Sequence, residues 1–161
     1  MSQKIVILDA FNVIGIPLRT SNEKAADEIG AHWQKFYTSD ILAKIPDKKN
    51  GAVVALYTDY ESDHTKPYTL ILGAMINNNG SAVPETMVIK KVPTAKYAVF
   101  PVTGEMPAAI FETWGQIWNV GLERTYTGDF ELYDTARSAQ KNNRLGDDRD
   151  IRANVHPAWD I

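Results

Sequence analysis

The sequence has no cysteine, no run of lysine or arginine longer than two, and no apolar stretch approaching a membrane span. Without cysteine there are no disulfides, no thiolate catalysis and no cysteine-based zinc site. With 17 basic against 20 acidic residues the net charge is −3. That balance lacks the basic footprint with which a protein neutralises nucleic-acid phosphates. The N-terminal apolar run Ile5 to Leu8 is cut by Asp9 before it could serve as a signal segment. A cytoplasmic protein with no membrane contact is therefore expected, and the sequon Asn79-Gly80-Ser81 carries no meaning there.

Catalytic and cofactor motifs are missing too. There is no G-x-G-x-x-G, no G-x-x-x-x-G-K-[ST] and no G-x-S-x-G. His32, His64 and His156 are far apart and form no H-x-x-x-H pair. Asp59-x-Glu61-x-Asp63 starts like a calcium loop, but His64 replaces the required glycine and Leu70 the required glutamate. The acidic cluster Asp147, Asp148 and Asp150 reads as an exposed loop after the polar stretch Ser138 to Arg144. No metal and no cofactor is expected.

What is present is one domain's worth of amphipathic segments, residues 1–161, with sixteen aromatics of which four are tryptophan. Ala26, Ile29, Trp33 and Phe36 recur with helical spacing and predict a helix over 23–39. Thr20-x-x-Glu23 fits a capping box at its start. A second helix is expected from Pro107 to Gly121, with Ile110, Phe111, Trp114, Ile117 and Trp118 as its apolar face. Strand-like sequence begins at Ile5 and continues in Phe11 to Arg19, Ala52 to Tyr60, Tyr68 to Ile76, Met87 to Val92, Tyr97 to Thr103, Phe130 to Asp134 and Ile151 to His156.

These elements fall into two halves, about 3–80 and 85–157. Trp33-Gln34-Lys35-Phe36 aligns with Trp114-Gly115-Gln116-Ile117 at an offset of 81, and Leu56-Tyr57 with Leu132-Tyr133 at an offset of 76. The fold class expected is α+β: a duplicated strand–helix–strand–strand unit, with an antiparallel sheet on one side and two helices on the other. A central groove is expected on the pseudo-twofold seam between the units.

Within Phe130-Glu131-Leu132-Tyr133, strand alternation sends Glu131 and Tyr133 to one face and Phe130 and Leu132 to the other. The aligned position in the first half is Ala55. An inward carboxylate is costly unless partnered, so Glu131 reads either as a solvent-facing residue or as a functional one. Trp33, Trp114 and Trp118 sit at helical spacing, and Tyr57, Tyr60, Tyr68 and Tyr97 lie in or beside strands. Rings beside a carboxylate make a good cation site, each cation–π contact being worth about 0.5–2 kcal/mol.

Tyr57-Thr58-Asp59-Tyr60-Glu61-Ser62-Asp63, Tyr97-Ala98-Val99-Phe100, Trp114-x-x-Ile117-Trp118 and Arg124-x-Tyr126-x-x-Asp129-Phe130-Glu131-Leu132-Tyr133 together resemble the GyrI-like effector-binding family. That family includes ligand domains of AraC-type and MerR-type multidrug regulators. The resemblance runs from about Phe11 to Asp134 and is strongest toward the free-standing, integron-associated members. It implies a groove lined by aromatics with an acidic residue at its base, matched here by Glu131. Trp114 and Trp118 would form one wall, Trp33 and Phe36 the other, with Tyr57, Tyr60, Tyr97 and Tyr133 contributed by the sheet.

The expected function is binding of lipophilic, aromatic organic cations without chemistry. Strand-like sequence from Ile5 leaves no room for a helix-turn-helix module, so an unknown regulatory protein partner, or sequestration itself, would supply the output. Two alternatives follow from the same resemblance. One is a hydrolase of reactive cyclopropane-containing compounds with Glu131 as general base beside Trp114. The other is a protein-interaction module of the kind that inhibits DNA gyrase.

Overall fold

Each period-two run of the sequence becomes a strand, and both helical periodicities become helices. The computed structural model describes residues 4–49, 51–62, 65–77, 82–102, 108–119, 128–133 and 149–155. The expected helix ends at Pro107 and Gly121, the turn at Asp63 and His64, the sequon, the polar loop from Ser138 with Asp147 and Asp148, His156 and Trp159 lie outside these residues. In chain order the elements are β1 (Lys4–Leu8), β2 (Phe11–Thr20), α1 (Ala25–Thr38), α2 (Ile41–Lys44), β3 (Val53–Thr58), β4 (Tyr68–Ile76), β5 (Val88–Val92), β6 (Ala95–Pro101), α3 (Ala108–Asn119), β7 (Asp129–Tyr133) and β8 (Arg149–Val155).

The strands form one eight-stranded sheet in the order β1-β6-β8-β7-β3-β4-β2-β5. Every neighbouring pair is antiparallel. The duplicated unit is visible in this order. From the central β7–β3 seam outward, one half reads β3-β4-β2 and the other β7-β8-β6, and each carries its helix between the first and second strand of its unit. The strands ahead of each unit are exchanged: β1 pairs with β6 of the second half, and β5 with β2 of the first. Asp150, expected in a loop, lies in β8 opposite Leu132.

Alternation assigns the two faces of the sheet. Ile14, Ile16, Leu70 and Leu72 pack under α1 with Phe36 and Ile41, while Ala98 and Phe100 pack under α3 with Ile110, Trp114 and Ile117. The opposite face carries Val13, Leu56, Ile71, Met75, Tyr97 and Phe130. The Phe11 and Phe130 rings meet there at 5.4 Å. Their strands are three positions apart, roughly 14 Å on a flat sheet, so the sheet bends around this second core.

Two expectations about α1 need correction. Thr20 and Glu23 do not form a capping box. The Thr20 hydroxyl donates instead to Glu28 Oε1 at 2.6 Å, because Thr20 still belongs to β2 and the helix begins only at Ala25. The expected helix over 23–39 is Ala25–Thr38, and Ile41–Lys44 forms a separate one-turn helix after it, set off by Asp40 in the left-handed region (φ 53°). His32 is buried on α1, its Nε2 donates to the Ile16 carbonyl at 2.9 Å, and burial holds its pKa below the ordinary value. No helix among the described residues is long and apolar enough to cross a membrane.

Gly15 and Gly73 are register partners on the bent face. A Cβ on Gly73 would stand 1.9 Å from the Ile14 carbonyl oxygen, and one on Gly15 would stand 2.2 Å from that of Leu72. Both contacts are with backbone, so the strands would have to separate. Gly73→Ala is expected to cost about 1–3 kcal/mol in urea unfolding, as overpacking does. Gly51→Ala, where a Cβ meets nothing within 4 Å, should stay within about 0.5 kcal/mol. Equal stabilities of the two variants would refute the close approach.

Candidate functional site

The seam between the halves is the β3–β7 pair, and its register places Ala55 directly opposite Glu131. The offset of 76 also makes these two residues equivalent in the repeat, so they sit on the pseudo-twofold axis itself. Glu131, Tyr133 and Tyr57 face the helices, while Leu56, Phe130 and Leu132 belong to the core on the other face. The small Ala55 beside Glu131 leaves room for the longer side chain between the two helices.

Glu131 is only 2% exposed. Three side chains satisfy it: Tyr57 Oη and Trp114 Nε1 each donate to Oε2 at 2.8 Å, and Tyr133 Oη donates to Oε1 at 2.6 Å. All three donors are neutral. Among the described side chains, which do not include those of β8, no basic group forms a hydrogen bond or ion pair with it. Burial pushes the Glu131 carboxyl above its ordinary range, and the hydrogen bonds from Tyr133, Trp114 and Tyr57 oppose that shift without cancelling it. The same environment raises Tyr57 well above a normal phenol, through burial first and then the Glu131 charge. Tyr68, a neighbour of Tyr57 in ring contact, is pushed up to about 12 by burial and by Glu131.

Above this floor of Glu131, Tyr57 and Tyr133 opens a cleft of about 400 Å³. Its α1 wall is Ala25, Ile29, Gly30, Trp33 and Tyr37, and its α3 wall is Ile110, Phe111 and Trp114. Rings brace one another around it: Trp33 stacks on Tyr37 at 5.8 Å and meets Tyr133 edge-on at 5.4 Å. On the other side Trp114 meets Tyr57 edge-on at 5.4 Å. The arrangement offers one buried carboxyl group, held by neutral donors, under aromatic and aliphatic walls.

Of the residues expected here, Glu131, Trp114, Trp33, Tyr57 and Tyr133 are brought together in the cleft. The other four are placed elsewhere. Tyr97 is fully buried on the opposite face, against Phe130. Tyr60 lies past the end of β3, and its hydroxyl donates to Asp129 Oδ2 at 2.5 Å. Phe36 is core beneath α1, edge-on to Trp33. Trp118 is 43% exposed beyond Trp114, whose ring it faces at 6.4 Å, and does not line the cleft.

Sequence reasoning missed Ala25, Gly30 and Tyr37, and read Ile29, Ile110 and Phe111 only as parts of apolar helix faces. The repeat held a signal for some of them. At the offset of 81, Ile29 corresponds to Ile110 and Gly30 to Phe111, just as Trp33 corresponds to Trp114.

Residues 4–151 match the integron-associated effector binding proteins of the Cass2 type. The chain belongs to this family. YobU of Bacillus subtilis, a protein named for transcriptional regulation, is 32% identical over 137 residues, covering 81% of this chain and 85% of its own. The integron cassette protein VCH_CASS2, from the mobile metagenome of Vibrio cholerae, is 29% identical. Its structure superposes with a TM-score of 0.70 over 96% of this chain and 95% of its own. SAV2435, solved bound to tetraphenylphosphonium, shares the fold with a TM-score of 0.78 at 17% identity, covering 98% and 96% of the two chains. The GyrI-like effector-binding resemblance and the α+β class thus hold for this Cass2-type chain.

Removing one phenol donor tests how the carboxylate is held. In Tyr133→Phe, Oε1 loses its donor and the Glu131 pKa should rise further, read by a carboxyl NMR titration. A carboxyl raised on folding contributes stability in acid that is lost as pH rises through its folded pKa. The variant should therefore lose about 1–3 kcal/mol above the folded Glu131 pKa, where a buried ionised acceptor is left short of a donor, and less in acid below it. An equal loss at both pH values would show that the bond does not serve the charge.

Proposed function

We propose that this Cass2-type protein binds lipophilic organic cations with aromatic bodies in the cleft between α1 and α3, with Glu131 as the counter-charge. One observation carries the reading: a buried carboxylate, whose donors among the described side chains are phenols and an indole, forms the floor of an aromatic cleft. Burying the charge costs solvation that neutral donors restore only in part, as the upward pKa shift registers. A cation entering the cleft supplies the missing partner where water is largely excluded and the interaction is strongest. Ring faces add cation–π attraction of about 0.5–2 kcal/mol each. The ligand in the SAV2435 structure, tetraphenylphosphonium, has this chemistry.

We propose that the site binds its ligand without transforming it. General acid–base work needs partners with pKa values near the working pH, and beside Glu131 the cleft offers phenols, with Tyr57 driven further from that range. Binding would then either sequester the cation or signal to a regulatory protein partner. Recovery of a reactive cyclopropane-containing cation unchanged by mass spectrometry after incubation is the expected result. Its turnover would favour the hydrolase instead.

Glu131→Gln should weaken tetraphenylphosphonium binding by about tenfold to a hundredfold, the scale of a lost buried charge partner. The affinity for neutral triphenylphosphine oxide should change little. Calorimetry on both ligands decides, and equal losses would remove the charge role. For a permanent cation, wild-type affinity should fall as pH drops through the raised Glu131 pKa, while the Gln variant should show no such titration.

A further inference from the structure

The two cleft walls are related by the pseudo-twofold axis, and the relation fails at two places: Tyr37 lines the cleft while its counterpart Trp118 does not, and a glycine stands in α1 where α3 has an aromatic ring. Ile29 faces Ile110 across the cleft in the repeat, and Trp33 faces Trp114, but Phe111 has Gly30 as its counterpart. Gly30 lies inside α1, where glycine is the poorest helix former apart from proline. Packing does not demand it: a Cβ there meets nothing within 4 Å, and no left-handed φ occurs there. The fold would accept a larger residue, so the missing side chain matters to the space it leaves. That space is a recess in the α1 wall.

The carboxylate points a ligand toward the same wall. Oε2 already takes two donors, Tyr57 and Trp114, from the α3 side. Among the described side chains Oε1 takes Tyr133 alone, whose ring touches Trp33 of α1. The less satisfied oxygen is thus on the α1 side, beneath the recess.

We infer that Gly30 sets the shape selectivity of the cleft, admitting cations whose aromatic bulk extends in three dimensions, with the substituent nearest α1 seated where a side chain at position 30 would stand. This rests on the cation-binding reading and deepens it. A flat cation can lie between Trp33 and Trp114 without using the recess.

The test is a calorimetric panel at pH 8 of four ligands: bulky and flat cations (tetraphenylphosphonium, N-methylacridinium) and bulky and flat neutral compounds (triphenylphosphine oxide, acridine). Gly30→Leu should weaken tetraphenylphosphonium by about tenfold or more, the scale of overpacking a filled site, and N-methylacridinium by less than about twofold. Gly30→Ala should fall between Gly30→Leu and wild type. Gly115→Ala, a helix-interior glycine of α3 that also meets nothing within 4 Å and does not line the cleft, should leave all four affinities unchanged. Both Ala variants should raise the melting temperature, which shows that the Gly30 series folds. Equal loss of both cations in Gly30→Leu, or no loss of either, overturns the inference. Neutral compounds binding as tightly as their cationic counterparts would instead overturn the charge reading while the bulky-to-flat comparison still reports on Gly30. A wild-type protein that takes none of the four overturns both.

Discussion

The structure depends on how a single carboxylate is kept inside it. Glu131 is nearly inaccessible, yet the hydrogen bonds that hold it among the described side chains all come from neutral ring substituents. A salt-bridged glutamate would be electrostatically finished, with its pKa drawn down. This one is held between two costs, too buried to be comfortable as an anion and too well supplied with donors to be simply a neutral acid. Such a group retains an attraction for positive charge that a closed ion pair has already spent. The donors also position it: with Tyr57, Trp114 and Tyr133 fixed by ring contacts to Tyr68, Trp118 and Trp33, the carboxylate has little rotational freedom left.

The duplicated fold supplies the frame for that arrangement. Because β1 and β5 are exchanged between the halves, neither half closes its sheet alone, and the floor of the cleft is the shared β3–β7 seam. The helices stand on the two halves, so the site exists only where the halves meet. The face away from the helices is a second apolar core around which the sheet bends. Sites carried on packed strands and helices hold their geometry better than sites on loops, and every cleft residue here lies within a helix or strand.

How much of this was legible in the sequence depended on whether one face of an element met water. Alternation located Glu131 and Tyr133 because Phe130 and Leu132 between them are apolar and the opposite face is core. The same rule failed for Tyr97, since β6 is buried on both faces. Tyr97 and Phe100 belong to different cores, and period two carries no information when both faces are apolar. In α1 the core stripe runs through Phe36 and the cleft stripe through Tyr37. One residue turns a side chain by 100° on a helix, and both are aromatic, so the pattern could not tell wall from core. Tyr60 was misplaced for a different reason: β3 ends at Thr58 and Asp59 takes a positive φ of 50°, which breaks the alternation before Tyr60 is reached. The donor geometry at Glu131 was out of reach, because it joins β3, α3 and β7 across the chain.

A twofold frame presents any ligand with two nearly equal walls, and the binding mode is decided where the equality breaks. On the floor it breaks between Ala55 and Glu131, which meet on the axis itself. The charge therefore lies at the centre of the cleft and favours neither half by position. Its hydrogen bonds create the bias, two donors on the oxygen toward α3 and one on the oxygen toward α1. On the walls the equality breaks between Gly30 and Phe111. These two breaks reside on separate elements, a central strand and a pair of helices, and they govern different properties of a ligand. On the proposed reading, charge is met by the sheet and shape by the helices. Substitution at the wall can thus alter which molecules fit while leaving intact the carboxylate that holds them, which suits a fold used repeatedly for effector recognition.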